Sequence, residues 1–471
     1  MDHLQLHQAR RWQLGFLMSA RLAVFAGFFL SPMAWAANGS TVWSAGVARV
    51  SITPGPGVWM GGYASRNRPA EGKLTDLWVK ALALEDGTGS RALLVTADLI
   101  GMDRQLSLSI RNAISKKYGL PLSGVVLNFS HTHSGPVVGE VLAPQQQLDE
   151  SQQKLVSGYA VSLRERTITA AGQAIGRLTP CHLAWAVGRC QFAVNRRENK
   201  ETLVPDLIAN NQLKGPTDHA VPVLQVTDRS RRKIAIVFGY ACHATVTRFY
   251  KWSGDYPGFA QIGVEEAHPE AVSMFWAGCG ADQNPLPRRT VQLAREYGRE
   301  LAAAVNQVVR SQMTPVTGAL TTAYSEEQLA FGQGPTLEET RTLLQSRRQK
   351  DVNWATIMLA RRKRLQTLPV SYPYPITVWQ LGDGPQMIFL GGEVVVDYSL
   401  RMKAEHMGPR TWVAGYSNDV MNYIPSRRVF REGGYEGLTG MYSYGRHAPW
   451  TPDVEQTIVS AVHRLAGNPT E

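Results

Sequence analysis

Residues 125–136, VVLNFSHTHSGP, place two imidazoles one residue apart between an apolar run and a turn. Imidazole carries protons near neutral pH and ligates borderline metals. Val125, Val126, Leu127 and Phe129 read as a buried strand, and Ser134-Gly135-Pro136 forces a turn. If strand geometry persists to its end, His131 and His133 lie on one face, because side chains alternate with period two. On this motif alone, a metal site and two histidines capping a strand through hydrogen bonds fit equally well.

Four further polar groups stand in similar places. His243 follows the apolar run Ile234–Tyr240, Asp282 follows Val272–Trp276, Glu393 follows Gln386–Leu390, and Tyr423 comes shortly after Trp412–Tyr416. Singly, each has a plain structural explanation. A histidine can cap a strand, Gly-Gly-Glu can open a helix with its acid near the dipole, and a tyrosine can be a buried aromatic with a bonded hydroxyl. Jointly they favour a site, because loops at the carboxyl ends of strands assemble active sites in α/β architectures. Two imidazoles, one carboxylate and a phenol suit Zn2+, with a position left for water. Such a metal lowers the pKa of its water toward ~7 and polarises a carbonyl, which is hydrolase chemistry. The sequence has no Gly-x-Ser-x-Gly elbow, so a serine hydrolase is the weaker reading.

The positioning elements follow in order. Val42–Ile52 alternates like a strand and ends in the turn Thr53-Pro54-Gly55-Pro56-Gly57. Val79–Leu84 and Ala92–Ala97 form a hairpin around Asp86-Gly87. Leu106–Lys117 and Gln152–Leu178 carry helical periodicity, and Cys181–Phe192 is extended, delivering Asn195-Arg196-Arg197 into a loop. Val221–Val226 and Ile234–Tyr240 are strands. Gly254–Gly258 reads as a turn before a helical Phe259–Ala267. Val291–Arg310 is a long helix, 336–368 is mostly helical and basic, Ile376–Leu381 and Gln386–Leu390 make a hairpin, and Pro452–Leu465 closes the chain. The expectation is α/β: mixed β-sheets flanked by helices, with a metal site at the carboxyl ends of strands. Trp59, Met60, Tyr63 and Trp252, in glycine-containing loops, are expected to line an apolar slot beside it.

Residues 1–36 are set aside as a secretory signal peptide: arginines, the short apolar stretch Leu22–Leu30, then Ala34-Trp35-Ala36. An exported chain, periplasmic or secreted, would begin near Ala37. The 36 residues hold three arginines and one aspartate, so the net charge of +11 falls to +9. The basic excess is densest over Arg341–Arg364, at helical spacing. A solvated helix face explains it, peripheral contact with an anionic membrane surface is a further use, and nucleic-acid binding is not indicated. No linker or repeat divides 37–471, read as a single domain. Cys181, Cys190, Cys242 and Cys279 allow three pairings; Cys242 and Cys279 are expected as neighbours, with no disulfide assigned. Oligomeric state is not legible.

The residues resemble the neutral/alkaline (non-lysosomal) ceramidase family. The likeness rests on Ile52-Thr53-Pro54, Gly61-Gly62-Tyr63-Ala64, Ala97-Asp98-Leu99, His131-Thr132-His133-Ser134-Gly135-Pro136, Asn195-Arg196, Gly254-Asp255 with Pro257-Gly258, Gly392-Glu393 and the Tyr423–Tyr435 segment. The resemblance implies a zinc amidase that releases sphingosine and fatty acid from ceramide. It implies His131, His243, Glu393 and Tyr423 as metal ligands, His133 beside the metal facing substrate, and Arg196 and Tyr435 on the scissile amide or its oxyanion. Two departures stand out. The family's serine after the strand matching Val272–Trp276 is missing, the segment reading Gly280-Ala281-Asp282-Gln283-Asn284-Pro285. Gln283 is no nucleophile, although its amide could orient substrate. The C-terminal β-sandwich of the family is also expected to be absent.

These readings combine into an exported zinc amidohydrolase for an N-acyl substrate, ceramide leading. In the expected mechanism a zinc-activated water attacks the amide carbonyl, Arg196 and Tyr435 hold the oxyanion, and His133 moves the proton. The alternatives are a zinc esterase, lactonase or other N-deacylase, and a catalytically silent lipid- or glycan-binding protein.

Overall fold

Strands that are apolar on both faces need cover on both. Val79, Ala81 and Ala83 face one way along their strand and Leu82 and Leu84 the other, and both sets are buried in separate clusters. The same parity recurs at Val125, Leu127 and Phe129 against Val126, and at Ile236 and Phe238 against Ala235 and Val237. The computed structural model describes residues 43–146 and 148–467; the expected signal peptide lies outside the described residues. These fall within one compact unit, Ser40–Glu471.

The large sheet is built from β1 (Trp43–Ser51), β2 (Trp78–Glu85), β3 (Arg91–Ala97), β4 (Val125–Phe129), β5 (Thr179–Arg189), β6 (Ala220–Asp228), β7 (Lys233–Tyr240) and β8 (Val272–Ala277). Its spatial order is β8-β7-β6-β5-β1-β2-β3-β4, with Thr314–Pro315 also beside β5. β3/β4 and β7/β8 are parallel pairs; the other neighbours are antiparallel. The sheet folds back on itself: Lys80 of β2 donates to the Ser273 carbonyl of β8 at 2.7 Å. A second sheet, β9 (Leu320–Ala330), β10 (Ser371–Leu381), β11 (Gln386–Leu390) and β12 (Thr411–Ala414), shares the inner core through Trp379, Phe389 and Trp412. Helices α1 (Arg104–Tyr118), α2 (Glu150–Ile175), α3 (Asp255–Ala267) and α4 (Val291–Arg310) cover the outer face. The fold is mixed α/β, as the sequence predicts.

The two sheets are tied at the strand exits. Asn128, fully buried, donates to the Gly415 carbonyl at 2.8 Å and to Ser417 Oγ at 3.1 Å, and accepts from the Ala277 amide at 2.9 Å. One carboxamide thus joins the ends of β4, β8 and β12.

Three expectations are corrected. Residues 320–330 form an eleven-residue strand that the sequence reading passes over. Glu326, Glu327 and scattered threonines hide its alternation, and it is tolerated because it lies at the sheet edge. Gly254–Gly258 is not a free turn, since α3 begins at Asp255, and Pro257 sits in its first turn where the missing N–H costs nothing. Trp59, Met60 and Trp252 are core residues, 7%, 1% and 2% exposed, and only Tyr63 of the expected slot reaches partway to solvent. All four cysteines are buried free thiols. Among the described residues, no helix is long and apolar enough to cross a membrane.

Candidate metal centre

The strand does not carry the His-Thr-His motif on its pleat. β4 stops at Phe129, and His131 adopts φ = 56°, the left-handed region a non-glycine residue rarely enters. The turn, rather than period-two alternation, brings His131 Nε2 to 3.3 Å from His133 Nε2. His243 arrives from the end of β7, and the ligating atoms of the three rings lie within 4.8 Å of one another.

Each ring is fixed from behind by a backbone carbonyl. His131 Nδ1 faces Ile100 O at 2.5 Å, His133 Nδ1 faces Gly62 O at 2.8 Å, and His243 Nδ1 faces Gly280 O at 2.9 Å. Carbonyls only accept, so each Nδ1 carries the proton and each Nε2 presents a lone pair to the common space. Gly62 is required here: at φ = 101°, a Cβ would lie 2.7 Å from His133 Nδ1.

Glu393 completes the cluster. The short parallel pairing of Glu393–Val394 with Tyr423–Ile424 sets Glu393 level with Tyr423. Gly392 precedes it at φ = 73°, where a Cβ would meet Asn422 O and Ile424 Cγ1, each at 2.7 Å. Glu393 Oε2 lies 3.2 Å from both His131 Nε2 and His243 Nε2. Its other oxygen accepts a very short hydrogen bond from the Tyr444 hydroxyl. Burial raises the Glu393 carboxyl, but the His131 and His243 imidazoles more than offset this and hold it well below the usual range. Burial, with Arg196 next, pushes His243 down to about 4, and burial together with the neighbouring imidazoles pushes His133 well below its ordinary value. Three imidazole Nε2 atoms and one carboxylate oxygen therefore face a common point.

Those residues fit a cation. His243 Nε2 and Glu393 Oε2 are buried without a hydrogen-bond partner, which is costly unless something positive satisfies them. The 3.2 Å separations of Glu393 Oε2 from His131 Nε2 and His243 Nε2 are close to the edge of a tetrahedron with bonds of ~2.0–2.1 Å, which is about 3.3 Å.

The aromatic and basic partners sit around this core. Arg196, leaving a short strand Ala193–Asn195, donates to Tyr423 OH at 3.2 Å and to Glu436 Oε1 at 2.7 Å. Tyr423 and Tyr435 rings are 5.0 Å apart, and Tyr435, on a wide π-helical turn, donates to Ser443 Oγ at 3.0 Å. Burial, reinforced by the Glu393 charge, pushes Tyr423 and Tyr444 well above their ordinary values. Arg196 and Tyr435 line a polar cavity of 670 Å3 shared with Arg197, Arg288, Glu432 and Glu436.

Two expected participants belong elsewhere. Asp282 faces away from the histidines: its oxygens accept from Val396 N at 2.8 Å and Asn195 Nδ2 at 3.3 Å, and Arg428 stands 3.7 Å away. Gln283 Oε1 accepts from Asp218 N at 3.0 Å, while Nε2 donates to Ala241 O at 2.6 Å. Its amide is occupied bracing the exit of β7 and is not free for substrate. Sequence reasoning missed Tyr444, on Glu393, and Tyr416, stacked 4.4 Å from His131. Tyr416 lies two residues beyond the end of β12, a placement legible in the sequence; Tyr444 lies in no motif.

An α/β protein with buried imidazoles and a carboxylate converging on one acceptor-lined point belongs to a class built to hold a metal for hydrolysis. Residues 43–364 match the family described as neutral/alkaline non-lysosomal ceramidase, N-terminal, and the chain belongs to that family, whose members are amide-bond hydrolases. Its fold is similar to a solved ceramidase complexed with C2, with TM-score 0.69 at 18% identity over 92% of this chain and 76% of that one. It is equally similar to neutral ceramidase from Pseudomonas aeruginosa, with TM-score 0.68, 18% identity and the same coverage. Glu393, Tyr423 and Tyr435 lie beyond the matched stretch.

Proposed function

We propose that this protein is a zinc-dependent amidohydrolase acting on N-acyl amides, of which ceramide is one candidate. The observation that carries the reading is the orphaned Glu393 Oε2, 3.2 Å from two imidazole lone pairs. His131, His243, Glu393 and Tyr423 would hold the ion, and Zn2+ there supplies a water that ionises near neutral pH and a Lewis acid for the amide carbonyl. His133 is partly open to solvent, and its Nε2 stands 3.3 Å from that of His131, which suits a proton carrier facing substrate. Arg196, held by Glu436, presents a fixed cation to the developing oxyanion, and Tyr435 adds a hydroxyl donor beside it once its bond to Ser443 Oγ is exchanged for one to substrate. Asn284 Oδ1, 3.4 Å from Arg196 Nη1, steadies the same guanidinium. Export to the periplasm or medium is proposed from the sequence of residues 1–36 alone.

Purified protein should contain about one zinc per chain, lose hydrolysis of short-chain ceramide and simple N-acyl amines on chelation, and regain it with Zn2+. Cleavage of esters or lactones with no measurable amide hydrolysis would defeat the amidase reading. Full activity in chelator would defeat the metal.

A further inference from the structure

Three guanidiniums converge on one phenol beside His133, and among the described residues none is in a salt bridge with a carboxylate. Tyr63 leans on His133 with ring centres 5.0 Å apart. The guanidinium carbons of Arg66, Arg248 and Arg289 lie 4.9, 5.6 and 5.5 Å from the centre of the Tyr63 ring. Arg289 Nη1 donates to Tyr63 OH at 3.1 Å, and that hydroxyl faces the carbonyls of Thr245 and Thr247. Arg66 is buried, gives its terminal donors to the carbonyls of Gly61, His133 and Phe249, and keeps a buried Nε without a partner. Arg248 is exposed and donates to Ser65 Oγ at 2.7 Å.

The contrast with adjacent cations is sharp. Arg196 and Arg197 share Glu436, and Arg288, next in sequence to Arg289, pairs with Glu201 at 2.6 Å. The carboxylate behind the cluster, Asp255, is buried and committed to Val246 N, Thr247 N and Oγ1, and Tyr256 N. Cation–π attraction to one ring does not neutralise three like charges. A soluble anion would be held there by charge-assisted, fork-like hydrogen bonds. The cluster stands one aromatic ring from His133.

We propose that Arg248 and Arg289, backed by the buried charge of Arg66, form a subsite for an anionic group of the substrate itself, so that the preferred substrate is an N-acyl amide bearing a carboxylate, sulfonate or phosphate. The inference rests on the amidase reading above for its placement of the scissile bond. The loss of the expected apolar slot agrees with it, because Trp59, Met60 and Trp252 are sealed in the core.

The test compares N-hexanoylglycine with its neutral counterpart N-hexanoylethanolamine, using zinc-loaded wild type, Arg248→Met, Arg289→Met and the remote control Arg364→Met. Wild type should favour the glycine conjugate in kcat/KM. That preference should fall about tenfold to a hundredfold in Arg248→Met and Arg289→Met and persist in Arg364→Met, as expected for loss of a charge-assisted hydrogen bond. Calorimetric binding of N-hexanoylglycine should weaken by a similar factor, a readout that needs no turnover. Arg248 is exposed, so its variant should fold. Equal use of the two amides with no change in the variants would overturn the subsite. So would binding to phosphatidylglycerol vesicles that these variants abolish while N-hexanoylglycine binding is unaffected. If neither amide is cleaved but binding still falls in the variants, the anion subsite stands and the amidase reading fails.

Discussion

Tyr444 donates its hydroxyl to Glu393 Oε1 while the opposite oxygen of the same carboxylate faces His131 and His243. The phenol therefore fixes which oxygen is turned toward the imidazoles. Groups that orient ligands in this way are commonly worth 10–100-fold in metal affinity. Tyr444→Phe keeps the ring and removes the donor. Zinc affinity, read by competition with a chromophoric chelator, should fall by about that factor with the thermal transition little changed. Unaltered affinity would show that the hydrogen bond is incidental.

Within the histidine pair, His131→Ala should lose the metal, whereas His133→Ala should retain it and lose turnover. Elemental analysis of both variants after gel filtration decides the matter. Equal zinc loss would make His133 a ligand, which its Nε2, 3.3 Å from that of His131, is placed to be.

Asp282 gives a pH signature. Burial pushes its carboxyl up to about 7, against an ordinary value near ~3.9. Between those values the folded state holds a proton that the unfolded chain has released, so stability from this group falls as pH rises from ~4 to about 7 and is level above. Asp282→Asn does not titrate. Its melting temperature relative to wild type should climb across that window and then plateau. A constant difference from pH 4 to 8 would show that Asp282 is ionised throughout.

Gln283→Ser places a hydroxyl in the segment where the family resemblance leads one to expect a serine, yet the neighbours of this side chain are Asp218 N and Ala241 O rather than the metal cluster. The shorter side chain strands two buried backbone groups, at roughly 1–3 kcal/mol each. The expected outcome is a lower melting temperature with no gain in turnover per zinc-loaded molecule. A gain in amide hydrolysis would place position 283 in the reaction.

The sequence by itself determined the α/β class, most of the strands, and His131, His133, His243 and Glu393 as members of one site. Each of these follows from local pattern: apolar runs with period two, terminated by turn residues, announce their own ends. Strand Leu320–Ala330 escaped because an edge strand needs only one apolar face and can carry glutamates on the other. The direction in which side chains point was decided only in three dimensions. Asp282 and Glu393 follow equally hydrophobic strands, yet one turns toward Val396 N and Arg428 and the other toward the imidazoles. Backbone dihedrals and partners more than a hundred residues away make that choice, and no local spacing encodes them. The same holds for Tyr444 on Glu393, for the left-handed His131 that replaces the expected pleat, and for Arg248 and Arg289, which reach Tyr63 from distant parts of the chain, Arg289 from 226 residues away. Burial is likewise a property of the whole fold, which is why Trp59 and Trp252, flanked by loop residues in sequence, ended in the core.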